Sequence, residues 1–345
     1  MEVSAFDYEL PQELIAQEPL AQRDASRMLI VDRAKQTWTD SFFANLLAQV
    51  KPNDVLVINN TRVFPARLVG RRKSTGGRVE VLLVRELENR IWEALVRPGR
   101  RLKKGAEVHF ADGRLWAEML DDGGSELRQL RFESDDDFEA LLNDFGDVPL
   151  PPYISRPSGA SEVDRERYQT LFAKERGAIA APTAGLHFTP RVMQQIASIG
   201  ARFAEITLHV GYGTFEPVRA NDTTQHQVAA ERYEIDEVAA QTINEARSAG
   251  GRVIAIGTTT TRALESAASD QGIVSPTKGN AYLTIVPGYK FRLVDALLTN
   301  FHLPRSSLLM LVSAFSGHQL ILSAYRHAVA ANYRFYSYGD CMLVI

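Results

Sequence analysis

Between Val63 and about Tyr153 the chain breaks into short segments of alternating polar and apolar residues, each closed by a turn rich in glycine. FPARLVGRR, GRVEVLLVREL, RIWEALVRP, AEVHF, RLWAEML and LRQLRF are separated by Gly-Gly, Pro-Gly, Lys-Gly, Asp-Gly and Asp-Gly-Gly. Short strands at this spacing, with Asp-Gly hairpins, indicate a small β-barrel or sandwich. A short helix around Asp136 to Asn143 is placed to close it.

On both sides of that stretch the texture changes. Upstream, a short helix near Pro11 to Gln17 and the segment MLIVDR precede FFANLLAQV, which reads as an amphipathic helix, and VLVIN, a buried strand. Downstream, AIAAP reads as a strand. FTPRVMQQIASIG reads as a helix with Thr189 as cap and Pro190 at its first position. ARFAEITLHV, RVIAIG and YLTIV read as further strands. DEVAAQTINEARSAG, TTTTRALESAAS, SSLLMLVSAF and QLILSAYRHAVAAN read as helices. Alternation of this kind argues for parallel strands layered with helices. The expected fold is an α/β main domain, with a mixed, largely parallel sheet and helices on its faces, plus an inserted small all-β barrel domain. Residues 63–155 are assigned to the barrel, and 1–62 with 156–345 to a discontinuous α/β catalytic domain.

The 345 residues suit two domains better than one small core. The single cysteine, Cys341, excludes an intramolecular disulfide and any multi-cysteine metal site, and the seven scattered histidines show no metal-ligand spacing. The start, MEVSAFDYELP, lacks the basic and apolar regions of a signal peptide. Leu308 to Ala314 falls far short of the roughly 20 residues of a bilayer span. A cytoplasmic monomer with no membrane contact and no bound metal is the expectation. Formal net charge is −3, so an anionic partner would need a local basic face. Two clusters offer one: Arg67, Arg71, Arg72 and Lys73, and Arg97, Arg100, Arg101, Lys103 and Lys104. Each equally suits a solvated surface.

Several segments place polar residues and glycines at strand ends, where α/β proteins commonly bind ligands. Thr183, Gly185 and His187 lie in PTAGLHFT, which reads either as a ligand loop or as a capped turn. Gly211, Gly213 and Thr214 lie in HVGYGTF; Gly-x-Gly without a third glycine is a weak signal by itself. Gly257 to Arg262 joins backbone N–H groups, four threonines and an arginine at a helix start, an arrangement suited to a carboxylate or phosphate. LTNFHLPRSS contributes His302 and Arg305, and NNTR contributes Asn60 and Arg62.

VLVINNTRVFPARL, VRPGRRLKKG, VPLPPYI, YQTLFA, IAAPTAGLHFT, HVGYGTFEPV, IGTTTTRALES, TNFHLPRSSLLMLVSAF and YRFYSYGDCMLVI run in one order from about residue 4 to the C-terminus. Together they resemble the S-adenosylmethionine:tRNA ribosyltransferase-isomerases of queuosine biosynthesis. The resemblance implies transfer and isomerisation of the ribosyl part of S-adenosylmethionine onto 7-aminomethyl-7-deazaguanine at the tRNA wobble position. Epoxyqueuosine-tRNA would form and adenine and methionine would leave. S-adenosylmethionine is then a consumed cosubstrate, no true cofactor is required, and the partner is the anticodon region of tRNA.

Carried onto this chain, the resemblance makes His187 and His209 candidate general acid/base groups, with Glu231 a further candidate base or ribose ligand. Thr258, Thr259, Thr260 and Arg262 would hold the methionine carboxylate or a phosphate. Gly211 and Gly213 would let adenosine approach the backbone, joined by Thr183, Gly185 and Thr214. Asn60, Arg62, His302 and Arg305 would line the same cleft, and Arg67, Arg71, Arg97, Arg100 and Arg101 would meet tRNA. One departure stands out. The family often reads Asp-His-x-Met-His-x-Glu where this chain has Gln225-His226-Gln227-Val228-Ala229-Ala230-Glu231, so the second histidine is Ala229. A non-catalytic RNA-binding module and an ordinary methyltransferase are the competing classes.

Overall fold

The computed structural model describes residues 1–99, 102–121, 126–157, 159–215 and 218–345. In chain order, β1 (Arg27–Asp32), β2 (Thr37–Phe42), β3 (Val55–Asn59) and β4 (Thr61–Val63) are followed by six strands of a barrel. These are β5 (Arg67–Arg72), β6 (Arg78–Glu88), β7 (Ile91–Arg97), β8 (Glu107–Phe110), β9 (Leu115–Met119) and β10 (Arg128–Ser134). After them come helices α1 (Phe138–Phe145) and α2 (Glu162–Arg167), then β11 (Glu175–Ala178), α3 (Pro190–Ser198), β12 (Arg202–Leu208) and β13 (Glu231–Ile235). The chain ends with α4 (Glu237–Ser248), β14 (Val253–Ile256), α5 (Thr258–Ala267), β15 (Thr277–Ala281), β16 (Ala296–Asn300), α6 (Ser307–Ser316), α7 (His318–Ala330) and β17 (Cys341–Val344).

The main sheet has nine strands in the order β15-β13-β12-β3-β14-β16-β17-β1-β2. Its centre, β12, β3, β14 and β16, is parallel, as is β17 with β1; the other neighbours are antiparallel. The expected mixed sheet is therefore parallel where it is most deeply buried. VLVIN and VIAI read as unbroken apolar runs because both faces are covered. Val55, Val57, Val253 and Ala255 join one core with α4 to α7, while Leu56, Ile58, Ile254 and Ile256 join a second core with Phe43, Leu46 and α3.

β5 to β10 close into an antiparallel barrel in the order β10-β7-β6-β5-β8-β9. Alternate residues such as Val79, Val81, Leu83, Ala94, Val108, Ala117 and Phe132 fill its interior. The β6–β7 turn has positive φ at Asn89 and Arg90, as a two-residue primed hairpin demands. Asp137 caps α1, which lays Phe138, Leu141 and Leu142 against the barrel core; Ile179 of the main body enters the same core.

Three expected elements differ. FFANLLAQV forms a 3-10 turn, Phe43–Gln49, not an α-helix. The strand expected over AIAAP stops at Ala178, because Ile179 turns into the barrel core while Ala180 and Ala181 pack in the main core before Pro182. YLTIV is not a strand; pairing lies just upstream in β15. The Leu283 carbonyl instead accepts from Arg262 Nε, and Thr284 Oγ1 accepts from the Val228 amide, so these groups are satisfied without a ladder. Among the described residues no single helix is long and apolar enough to cross a membrane, and no group of three His, Cys, Asp or Glu side chains is placed to hold a metal.

Candidate active site

The carboxyl ends of the four parallel strands deliver Leu208, Asn59, Ile256 and Asn300 to one edge of the sheet. Two adjoining cavities open there. The smaller, about 60 Å3, is lined by Thr183, Thr258, Thr259, Asn300 and His302 among others. The larger, about 430 Å3, is lined by Gly213, Ala229, Glu231, Arg262, Arg305 and Ser307 among others. Leu308 and Tyr336 belong to both walls. The larger volume is in the range of small-molecule sites.

Gly257, at φ +98, turns β14 into α5, and only Thr258 and Thr259 then face the smaller cavity. Thr260 Oγ1 donates to the Ile256 carbonyl at 2.8 Å and Thr261 Oγ1 to the Gly257 carbonyl at 3.1 Å, so both hydroxyls serve the helix itself. The Thr260 hydroxyl, expected to meet a ligand, is thus already engaged within the helix. Thr259 Oγ1 is buried with no hydrogen-bond partner among the described residues.

Arg262 is likewise held by the protein itself. The sequence suggested a clamp for a carboxylate, but its guanidinium is buried and already engaged. It donates to Glu231 Oε2, to the Leu283 carbonyl at 3.1 Å, to the Ala281 carbonyl at 2.9 Å and to the Ala229 carbonyl at 3.3 Å. The other Glu231 oxygen accepts from the Gly211 amide at 3.0 Å. The pair thus ties α5, β13 and the Gly211 loop together beside the larger cavity. Gly213 has no room for a Cβ, which would stand 2.7 Å from the Ala229 Cβ. Ala229, where the family often has histidine, is in the wall of this cavity.

The two histidines expected to act as acid and base line neither of these cavities directly and line different ones from each other. His187 lines a crevice of about 20 Å3 that shares Ser337 with the smaller cavity. Its Nδ1 is 2.9 Å from Ser26 Oγ, and burial pushes its pKa down to about 4. His209 lies on the other face of the sheet. Ala204, Ile206, Leu208 and Val210 of the β12 segment enter the core, so Glu205, Thr207 and His209 point away from it. With Asn60 they line a polar groove of about 590 Å3, where Thr61 Oγ1 is 2.8 Å from His209 Nδ1. Burial, then the nearby Arg232 charge, lowers the His209 pKa to about 4.

The remaining expected residues divide similarly. Gly185 has an ordinary φ; its hydrogen is required because a Cβ would come within 2.7 Å of Phe172 Cζ and 2.8 Å of Thr170 Cγ2. Packing alone therefore requires glycine here. His302 lines the smaller cavity but is buried and held by Thr299 Oγ1 at 2.9 Å, and burial lowers its pKa to about 3. Arg305 lines the larger cavity and pairs with Asp7. Asn60 accepts from Thr207 Oγ1 at 2.7 Å. Arg62, Arg71 and Arg97 are exposed, and Arg67 makes a two-pronged pair with Glu80 at 3.0 Å. Arg100 and Arg101 lie outside the described residues, as does the side chain of Thr214.

Sequence reasoning missed Tyr336. It holds φ +74 without being glycine, a costly conformation that its surroundings enforce. Its amide donates to the Phe301 carbonyl at 3.2 Å and its carbonyl accepts from Asn300 Nδ2 at 2.9 Å, fixing the ring between the two cavities. No glycine or asparagine in RFYSYGD marks that position.

Comparison with known proteins agrees with the fold. The chain is 49% identical over 345 residues to the S-adenosylmethionine:tRNA ribosyltransferase-isomerase of Pelotomaculum thermopropionicum, covering all of both chains. It is 46% identical, again over all of both chains, to the protein of the same name from Halothermothrix orenii. A crystal structure of S-adenosylmethionine tRNA ribosyltransferase from Thermotoga maritima, 36% identical, matches 99% of this chain and 100% of that one with a TM-score of 0.55. Residues 3–344 match the family described as queuosine biosynthesis protein, and the chain belongs to that family.

Proposed function

We propose that this enzyme transfers the ribosyl moiety of S-adenosylmethionine onto 7-aminomethyl-7-deazaguanine at the tRNA wobble position and isomerises it, giving epoxyqueuosine-tRNA. Adenine and methionine are the other products. The observation that carries the reading is identity of 46 to 49% over the full length of two proteins named for this activity. The cavity of about 430 Å3 at the sheet's carboxyl edge is large enough to enclose a nucleoside and its sulfonium arm. S-adenosylmethionine is consumed, so it is a cosubstrate and not a retained cofactor.

The sulfonium acidifies the neighbouring ribose carbon, so a base of modest strength starts the reaction. Loss of adenine opens the ring, the aminomethyl nitrogen of the modified base attacks, and epoxide closure expels methionine. The protein's tasks are to hold two large substrates in register, to move one proton and to keep water out. In this reading the larger cavity, with Gly213 and the loop fixed by Glu231, receives the nucleoside. Thr258 and Thr259 at the start of α5 offer hydroxyls and backbone amides to its anionic end. Basic residues on the outer barrel face, Arg67, Arg71 and Arg97 among them, meet the tRNA backbone, and the enzyme works as a monomer in the cytoplasm.

Chromatography of a reaction holding the protein, S-adenosylmethionine and tRNA bearing 7-aminomethyl-7-deazaguanine tests this. Adenine and methionine should appear in equal amounts, and only with the modified tRNA. S-adenosylhomocysteine instead would make the protein a methyltransferase. Tight tRNA binding with no small product would make it a binding module.

A further inference from the structure

His226 follows the short turn Thr223–Gln225, and its Nε2 lies 2.6 Å from Ser307 Oγ. Ser307 opens α6 directly after the capping Ser306 and lies in the wall of the larger cavity. His226 stands behind the serine and is not itself in that wall. Its turn is tied down from the chain start: the Thr223 amide donates to the Met1 carbonyl at 2.9 Å, and the Val3 amide to the Asn221 carbonyl at 2.8 Å.

Among the described residues no histidine lines the larger cavity. Of the charged side chains that do, Glu231 is paired with Arg262, and Arg305 with Asp7. His226 stands one hydrogen bond behind that wall, through Ser307, and imidazole is the side chain best suited to passing a proton on. Resting on the ribosyl-transfer reading above, the geometry points to Ser307 and His226 as its acid–base pair: Ser307 Oγ touches the substrate and His226 Nε2 stores the proton.

The step balances. A proton passes from the ribose carbon beside the sulfonium to Ser307 Oγ as the serine's own proton moves to His226 Nε2. The C–H electron pair stays on carbon and the imidazole becomes imidazolium. As the bond to adenine breaks, the same path runs backward: Ser307 gives a proton to the departing adenine nitrogen and recovers one from His226. Two features of the surroundings assist. Burial lowers the pKa of His226, which favours the uncharged imidazole before the step. The positive end of α6, ten residues long, lies at Ser307 and favours negative charge developing on Oγ.

The test compares single-turnover adenine release with the equilibrium Kd for S-adenosylmethionine in four variants. Ser307→Ala and His226→Ala should each slow release at least ~100-fold with Kd within about threefold of wild type. Ser307→Thr, which keeps the hydroxyl, should stay within about tenfold of wild type. His226→Gln still accepts a hydrogen bond from Ser307 but cannot take its proton, so it should be as slow as His226→Ala. A rate for His226→Gln near wild type would reduce His226 to a structural support and overturn the proposal, as would an unimpaired Ser307→Ala. Wild-type protein that releases no adenine removes the functional reading itself. Wild-type and variant proteins that release it equally well remove only the pair.

Discussion

Glu231 on β13 and Arg262 on α5 form a buried ion pair in which the guanidinium also meets the carbonyls of Leu283, Ala281 and Ala229. The carboxylate at the same time holds the Gly211 amide. Removing one member leaves the other charged and buried, which costs about 3–5 kcal/mol. Glu231→Met and Arg262→Met should therefore each lower unfolding free energy by that order, and the double variant should lose less than the sum. Arg262→Met should be the worse single change, because it also orphans backbone carbonyls. Urea denaturation of the three proteins measures this, and single losses below about 1 kcal/mol would contradict the pairing.

Gly185 gives a second, independent test. An added Cβ would meet Phe172 and Thr170 at distances no relaxed side chain adopts, although the backbone itself is unstrained there. Gly185→Ala should cost about 1–3 kcal/mol through overpacking. Adding Phe172→Leu should recover much of it, since Cζ of Phe172 is the closest atom. A glycine kept for ligand approach would behave otherwise: the alanine variant would melt like wild type and lose only substrate affinity.

What the sequence made legible follows from range. The barrel was readable because its alternation and its turn residues are local, as at Asp112 and Gly113. The cap of α3 was readable for the same reason: Thr189 accepts from Val192 three residues on. The face taken by His209 was also written locally, in the apolar alternation Ala204, Ile206, Leu208 and Val210. His226 and Ser307 meet across 81 positions, and only the tertiary fold joins them. Strand YLTIV failed because Arg262, distant in sequence, claims the Leu283 carbonyl.

The barrel carries its own prediction. Arg71 stands directly across from Arg78 in the β5–β6 register, and both are exposed. Like charges facing across strands destabilise a sheet, and the arrangement suits an anionic partner that neutralises both. Arg97 lies at the adjacent edge, opposite Glu80. If tRNA phosphates meet this face, the variant Arg71→Gln with Arg78→Gln should bind tRNA more weakly and lower the slope of log affinity against log salt by about 2. The free protein should meanwhile gain a little stability from relief of the repulsion. An unchanged salt slope would move the tRNA contact to another face.

Acid should unfold this protein earlier than its carboxylates alone would require. His187 and His302 are buried, with pKa values pushed down to about 4 and about 3, against roughly 6.5 when unfolded. His209 shifts in the same direction. Below pH 6.5 the unfolded chain takes up protons that the folded chain refuses, so the stability these neutral histidines contribute is complete above about 6.5 and falls as pH drops toward 4. In the steep part of that window each contributes a loss of about 1.4 kcal/mol per pH unit. The salt-bridged carboxylate of Asp164, lowered to about 2, loses its contribution only below about pH 4, so the two effects separate. Urea midpoints between pH 7.5 and 5 should fall steeply below pH 6.5, and His302→Gln should flatten the fall by one histidine's share. A midpoint that holds level down to pH 5 would mean that these imidazoles protonate freely in the folded state, and that their burial is looser than the packing around Tyr8, Tyr325 and Ser26 describes.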